Sequence, residues 1–383
     1  MSSLSPSSRK QALKAYICVK PGSVNDPQAP IVVALANMFE LTLVKQWDTA
    51  DLIMYFGTVK DQERRLCALP CGLLGRARGH LRISMKDALA QHLRSTSPQT
   101  MFTIVPWTLV VAASQDATSR RPTAGSVLAA YEAEAPKQLL TLGRDWFICK
   151  MPNLWGGEAI KICRNQQELE TAMAGLAGVS FVVQKYIEQP LLWRGHKFDL
   201  RLYVLTLPVL ETRQGKSQEI AAFGQEIAEN QHFVFYGGHV RLSVPKFTLD
   251  SAEPNIHLTN QCIQRNDSSM QTVYDVYDLM EELNITETLL FKQVERQMKA
   301  VLAGPPMATS RAQFQLWGID VMLDVERNTW LLEVNYNPGT TSEDLRAITN
   351  KQALWTRVFE LTFANRTGQP LPEQPRKYGF HRI

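Results

Sequence analysis

The sequence predicts a mixed α/β chain, and three observations predict it. Short apolar runs of strand composition alternate with helical stretches over most of its length. Two apolar runs meet at the polar segment "VERN", a hairpin signature. A further run, "HKFDLRLYVL", alternates charged and apolar residues with the period of a half-buried strand. With 383 residues, 45% hydrophobic and 20% charged, the chain can bury two or three cores, and we divide it at 1–80, 81–190 and 191–383.

Taken in order, "AYICV" reads as a strand, Ile31 to Phe39 as an apolar helix and "ADLIMYFG" as a second strand. A helix is expected over Met85 to Leu93, then a buried strand in "MFTIVPWTLVV", broken at Pro106 because proline cannot donate to a ladder. Residues 112–126 are polar and aperiodic, a loop, and a helix follows near Val127 to Leu142. The strands "WFICK", "AIKIC" and "SFVVQKYI" accompany a helix over Gln166 to Leu176. Sheet resumes at Lys197 to Leu207 and at "HFVFYGGHVRLSV", with an inserted polar connection between them. "ITETLLFKQVERQMKAVLA" is an amphipathic helix capped by Thr286 or Thr288, and the Pro-rich tail from Thr367 is expected to be poorly ordered.

Composition excludes several classes. The longest apolar run, Met101 to Ala113, falls short of the roughly 20 residues of a spanning helix, and the N-terminus has no signal-like apolar core, so no membrane segment is expected. Six scattered cysteines without a C-x-x-C pair fit reduced thiols, and Cys67 with Cys71 lacks the companions a zinc site needs. The net charge of +4 is spread among acids, not clustered with aromatics, which argues against nucleic acid.

The hairpin "GIDVMLDVERNTWLLEVN" carries the sharpest chemistry. Placing Asp324 opposite Thr329 and counting back by twos sets Asp320 opposite Glu333, with Asn335 on the same face. Two facing carboxylates repel unless a cation lies between them, and magnesium takes such oxygen ligands. An exposed hairpin with alternating polar residues is the other reading. In "HKFDLRLYVL", Lys197, Asp199, Arg201 and Tyr203 share one face, and Phe198, Leu200, Leu202 and Val204 the other, which an ordinary solvated strand would also show. Lys150 precedes a turn with Gly156 and Gly157, a combination able to hold phosphate oxygens, although the G-x-x-x-x-G-K-[ST] pattern is absent.

In order, "FTIVPWTLV", "WFICK…GGEAI", "FVVQKYIEQPLLWRGHKFDLRLYVL", "GGHVRLSV", "HLTNQCIQ", "FQLWGIDVMLD" and "WLLEVNYNPG" resemble the tubulin tyrosine ligase family from about Met101 to Gly339. The resemblance implies an ATP-grasp fold whose central and C-terminal catalytic domains follow a small N-terminal α/β domain that recognises tubulin. It implies ATP and Mg2+ as cofactors, with Lys150 on phosphate and Gln184, Lys185, Tyr186 and Ile187 around adenine. Lys197, Asp199, Thr259 and Asn260 would also hold nucleotide. Arg201 and Arg241 would serve the transferred phosphate and the amino acid as catalytic groups, with Glu333, and Asp320, Glu333 and Asn335 would ligate the metal. Met151, Ala159 and Gly339 depart from the family's usual residues, and the Cβ of Ala159 would crowd the phosphate turn.

The family's partner is tubulin, through its acidic C-terminal tail, in the cytoplasm and on the cytoskeleton. The short chain after "EVNYNPG" and the compact N-terminal unit look like the branch that adds tyrosine to the terminal glutamate of detyrosinated α-tubulin, so tyrosine is the expected free amino acid. Glutamylation is the alternative, then glycylation. A nucleotide-binding pseudoenzyme docked on tubulin is the remaining reading, opposed by the retained Lys150, Arg201, Asp320, Glu333 and Asn335.

Overall fold

The structure, a computed structural model, describes residues 12–20, 23–24, 29–46, 49–55, 71–75, 80–113, 122–135, 146–152, 160–176, 178–209, 229–264, 270–303, 313–338 and 345–383. The Gly156–Gly157 turn, Ala159, Gly339, Cys67 and the polar insertion after Val209 lie outside them. Three sheets organise the described chain. The first joins β1 (Ala12–Lys20), β2 (Ser23–Val24), β3 (Glu40–Leu43), β4 (Leu52–Tyr55) and β5 (Cys71–Leu74) in the order β2-β1-β4-β5, with β3 also on β1. Helix α1 (Pro30–Met38) starts on a proline, which suits a first turn whose N–H groups need no partner.

The second sheet runs β6-β9-β7-β8, from β6 (Thr108–Val111), β7 (Phe147–Lys150), β8 (Lys161–Cys163) and β9 (Phe181–Lys185), all antiparallel. Helices α2 (Lys86–Thr96), α3 (Ala124–Glu134) and α4 (Gln166–Gly175) belong to this half of the chain. Thr123 and Asn165 cap α3 and α4 by accepting from Ser126 N and Glu168 N.

The third sheet is the floor of the molecule. Its order is β13-β12-β11-β14-β15, from β11 (His196–Pro208), β12 (Asn230–Lys246), β13 (Val273–Asp275), β14 (Gln315–Leu323) and β15 (Thr329–Asn335). The short β10 (Leu192–Trp193) lies on β11, and β16 (Phe380–Arg382) on β12. One face is apolar because β11 alternates: Phe198, Leu200, Leu202 and Val204 are fully buried in one cluster with Leu290, Phe291, Val294 and Met298 of α6 (Glu287–Leu302) and Val276 and Leu279 of α5 (Val276–Glu282). Each such side chain contributes roughly 1.5–3 kcal/mol by leaving water. Thr286, and not Thr288, caps α6, accepting from Leu289 N at 3.1 Å. Along the same sheet, Leu205, Phe233, Phe235 and Leu316 join a second cluster with Trp355, Val358 and Phe359 of α7 (Leu345–Thr367) and with the first sheet.

Two expectations are corrected. Met101 to Thr103 form a 3-10 turn, and the strand begins only at Thr108, because Pro106 breaks the run and the preceding residues tuck Met101, Ile104 and Val105 into the large core. The tail is ordered: β16 pairs with β12, Tyr378 donates to Asp275 Oδ2 at 2.7 Å, and Arg376 pairs with Glu287 at 2.6 Å. Phe380 supplies the apolar anchor at 3% exposure. No described helix is long and apolar enough to cross a membrane.

Close backbone approach between β11 and β12 depends on glycine. Gly238 has φ +150°, and a Cβ there would lie 2.4 Å from the Arg201 carbonyl oxygen, so no side chain fits. For the tail, Phe380→Ala should cost about 3–5 kcal/mol, the usual range for a buried phenylalanine, read as a lower urea midpoint; a change under 1 kcal/mol would place the tail outside the cooperative core.

Candidate active site

The alternation of β11 puts Lys197, Asp199 and Arg201 on the face opposite the apolar one, and that face floors a cleft of about 760 Å³, open to solvent at its mouth. Lys150, Gln184, Lys185, Tyr186, Ile187, Lys197, Asp199, Thr259, Asn260, Asp320 and Glu333 line it, all marked by sequence. Arg201, Arg241 and Asn335 are outside this lining and reach it through the carboxylates they touch.

The strand register assembles a row of polar side chains. His239, Arg201, Asp320 and Glu333 stand opposite one another on β12, β11, β14 and β15. Arg201 Nη2 donates to Asp320 Oδ2 at 3.1 Å, and its Nε donates to Oδ1. Arg241 forks onto Asp199, Nε to Oδ1 at 2.7 Å and Nη2 to Oδ2 at 2.6 Å, and also reaches Asp320 Oδ2 at 2.9 Å. Thr259 Oγ1 donates to Asp199 Oδ2 at 2.7 Å. Burial pushes the Asp320 carboxyl up, but Arg201 and then Arg241 outweigh it and hold it far below the usual range. Glu333 moves the other way, raised by burial and by facing Asp320, and Asn335 Nδ2 donates to its Oε1 at 3.0 Å.

The register of this hairpin differs from expectation in its turn. Leu323, not Asp324, faces Thr329, which alone would set Glu333 opposite Ile319 on the apolar face. A bulge at Leu332 adds one residue to β15 and restores Asp320 opposite Glu333. Asp324 instead organises the turn, accepting from Asn328 N at 2.8 Å and Trp330 Nε1 at 2.9 Å.

Above the floor, Gln184 accepts from Lys150 Nζ at 2.7 Å and donates to Thr108 Oγ1 at 2.9 Å. Lys185, also on the lining, pairs with Glu188 and donates to the Trp146 carbonyl at 3.2 Å. A relay runs from Lys197 Nζ to Tyr186 OH at 2.6 Å, on to His257 Nδ1 at 2.7 Å, and from His257 Nε2 to the Ser251 carbonyl at 2.6 Å. The carbonyl can only accept, which puts the His257 proton on Nε2 and makes Tyr186 the donor to Nδ1. Sequence reasoning missed His257, and also Lys86, whose Nζ is 3.4 Å from Glu333 Oε2. Lys86 opens α2, which its sequence marks only as a helix.

Among the described residues, no three His, Cys, Asp or Glu side chains converge on a point. Two facing carboxylates and an amide remain, a donor set that suits magnesium, which completes its shell with water and phosphate oxygens. The raised Glu333 carboxyl is the strain a cation would relieve.

The family model described as "Tubulin-tyrosine ligase family" matches residues 64–211 and 225–371. The chain belongs to the tubulin-tyrosine ligase family. Within this family it is similar to the human protein described as "Probable tubulin polyglutamylase TTLL2", 27% identical over 305 residues covering 75% of this chain and 46% of that one. It is also similar to "Inactive polyglycylase TTLL10" of Homo sapiens, 27% identical over 57% of this chain and 35% of that one. "Tubulin glycylase 3E" of Tetrahymena thermophila is 25% identical over 51% of this chain and 14% of that one. The chain spans about half the length of the TTLL2 relatives it matches. These relatives are described as glutamylases and glycylases, which favours the alternative expectation over tyrosine transfer.

The cleft lysines set a pH signature. Burial, then Lys150, pushes Lys197 down to about 7, and burial, then Lys86, pushes Lys150 down to about 8, from an ordinary 10.5. Between those values and 10.5 the unfolded chain binds more protons. The burial penalty is therefore full below about pH 7 and relieved as pH rises. Urea denaturation of the unliganded protein should show stability climbing from pH 7 to 9.5, by up to about 1.4 kcal/mol per pH unit for each lysine, and Lys197→Met should flatten the climb. An equal slope in that variant would contradict the assignment.

Proposed function

We propose that this chain is an ATP- and Mg2+-dependent ligase that joins a free amino acid, glutamate before glycine or tyrosine, to a carboxylate of the acidic tubulin tail. The observation that carries the reading is the row Arg201–Asp320–Glu333 across the floor of a cleft walled by Lys150 and Lys197. Family membership and the relatives' names support tubulin as the acceptor and glutamate as the donor.

Burial disfavours the charged forms of Lys150 and Lys197 in the unliganded protein, phosphate oxygens would favour them, and Gln184 accepts a hydrogen bond from Lys150. Tyr186 and Ile187 give the purine an apolar wall, with Met322 and Leu332 beneath it. Asp320, Glu333 and Asn335 would hold Mg2+, which when bound draws charge from the β- and γ-phosphates. The acceptor carboxylate then attacks the γ-phosphorus and ADP leaves. Arg201 and Arg241 are fixed donors beside that transfer, so their contribution is electrostatic and needs no nucleophilic side chain. The amino acid's amine next displaces phosphate from the acyl carbon and loses its proton to solvent.

Tubulin incubated with ATP, Mg2+ and labelled glutamate, glycine or tyrosine should take up glutamate; label from tyrosine alone would sink the donor assignment. Glu333→Gln should lower turnover at least a hundred-fold with the thermal midpoint kept, whereas unchanged turnover would remove Glu333 from the metal site. Gly318→Ala is a subtler probe, because its Cβ would fall 2.8 Å from Pro338 Cβ and 3.3 Å from Arg201 Cδ. It should displace Arg201 and cut kcat about ten-fold or more with ATP affinity held within two-fold, a split that kinetics on both substrates would read.

A further inference from the structure

The row of side chains on the large sheet continues past Arg201. On its far side β12 presents His239 directly opposite, and opposite residues of an antiparallel pair share a face. His239 is 4% exposed, and neither ring nitrogen has a hydrogen-bond partner among the described residues. A buried imidazole with both nitrogens idle is costly in the empty protein, and such orphans call for a partner that arrives from outside.

The surroundings specify the sign of that partner. Burial, then the charges of Lys351, Arg201 and Arg241, drives the His239 ring down to about 3, so the ring is neutral and offers one N–H. Lys351, near the start of α7, is 9% exposed and itself pushed down to about 8 by burial and Arg201. The carboxylate nearest in register, Asp275 on β13, is already engaged: it accepts from Tyr277 N, Asn350 Nδ2 and Tyr378 OH. Tyr203 closes one side, its ring perpendicular to the imidazole with the two centroids 6.1 Å apart. Cationic surroundings with an idle donor fit an anionic oxygen.

We propose that His239 and Lys351, beside Arg201, form the subsite for the side-chain carboxylate of the transferred amino acid. The inference rests on the glutamate reading above and assigns that preference to residues. Two strand spacings, about 10 Å, separate the strand of His239 from that of Asp320, a span that an extended glutamate with a hydrogen bond at each end can fill. Glycine leaves the imidazole unpaired, and a tyrosine phenol brings no charge to Lys351.

The test separates binding from transfer. The full chain, saturated with Mg2+ and a non-hydrolysable ATP analogue, is titrated calorimetrically with glutamate, glutamine and glycine. Glutamate should bind at least ten-fold more tightly than glutamine. In His239→Leu that ratio should fall below two-fold with nucleotide affinity kept, and Lys351→Met should do the same, which covers the case in which the first variant fails to fold. No preference in the wild type, or a ten-fold preference retained in the folded variants, would overturn the subsite. Glutamate transfer to tubulin is scored in parallel: preference in binding without transfer sinks the ligase reading alone, and transfer with unaltered preference in the variants sinks the subsite alone.

Discussion

The contact between Arg201 and Asp320, from β11 to β14, is the constraint on which the rest of the site depends. Taking charges out of water costs several kcal/mol per ion, and the cost is offset here because each of two guanidinium groups forks onto a carboxylate through Nε and Nη2, and Arg241 also reaches the second carboxylate. Removing one member would leave an uncompensated charge, which typically costs about 3–5 kcal/mol. The cluster is close to neutral as a unit. Arriving phosphates and a divalent cation would not need to create charge; they would exchange partners within a set already held in place.

That set is rigid because the other face of the sheet is packed. Phe198, Leu200, Leu202 and Val204 lie between the charged row and the helices below, so the chemical residues inherit their positions from their apolar neighbours one place along the chain. The long cations enter from other elements, Lys86 from α2, Lys150 from β7 and Lys351 from α7, so their positions depend on packing beyond this sheet.

Much of this was legible because strand alternation has a short, unambiguous period. Lys197, Asp199 and Arg201 could be assigned to one face from β11 alone, and the hairpin brought Asp320 to Glu333. The second success concealed two one-residue errors that cancelled, one at the Asp324 turn and one at the Leu332 bulge, and no pattern in "TWLLEVN" announces a bulge. Lys86 and His257 were invisible because each belongs to the site only through tertiary packing. His239 lies in "GGHVRLSV", where the resemblance assigns a role to Arg241 alone, and an idle imidazole can be recognised only when its neighbours are known. The tail was misjudged because its prolines resemble a linker, while Phe380 and Tyr378 tie it to β12 and Asp275.

The bulge at Leu332 has a wider meaning for how this hairpin can vary. Without it, every residue from Glu333 onward would swap sides, and the carboxylate would be driven among the leucines beneath the sheet. With it, the parity of the strand is reset between the turn and the cleft, so the turn and the carboxylate pair answer to separate requirements. Residues 324–328 can follow whatever geometry Asp324 and Trp330 demand, and the facing of Asp320 with Glu333 is settled independently, two residues before the chain leaves the sheet.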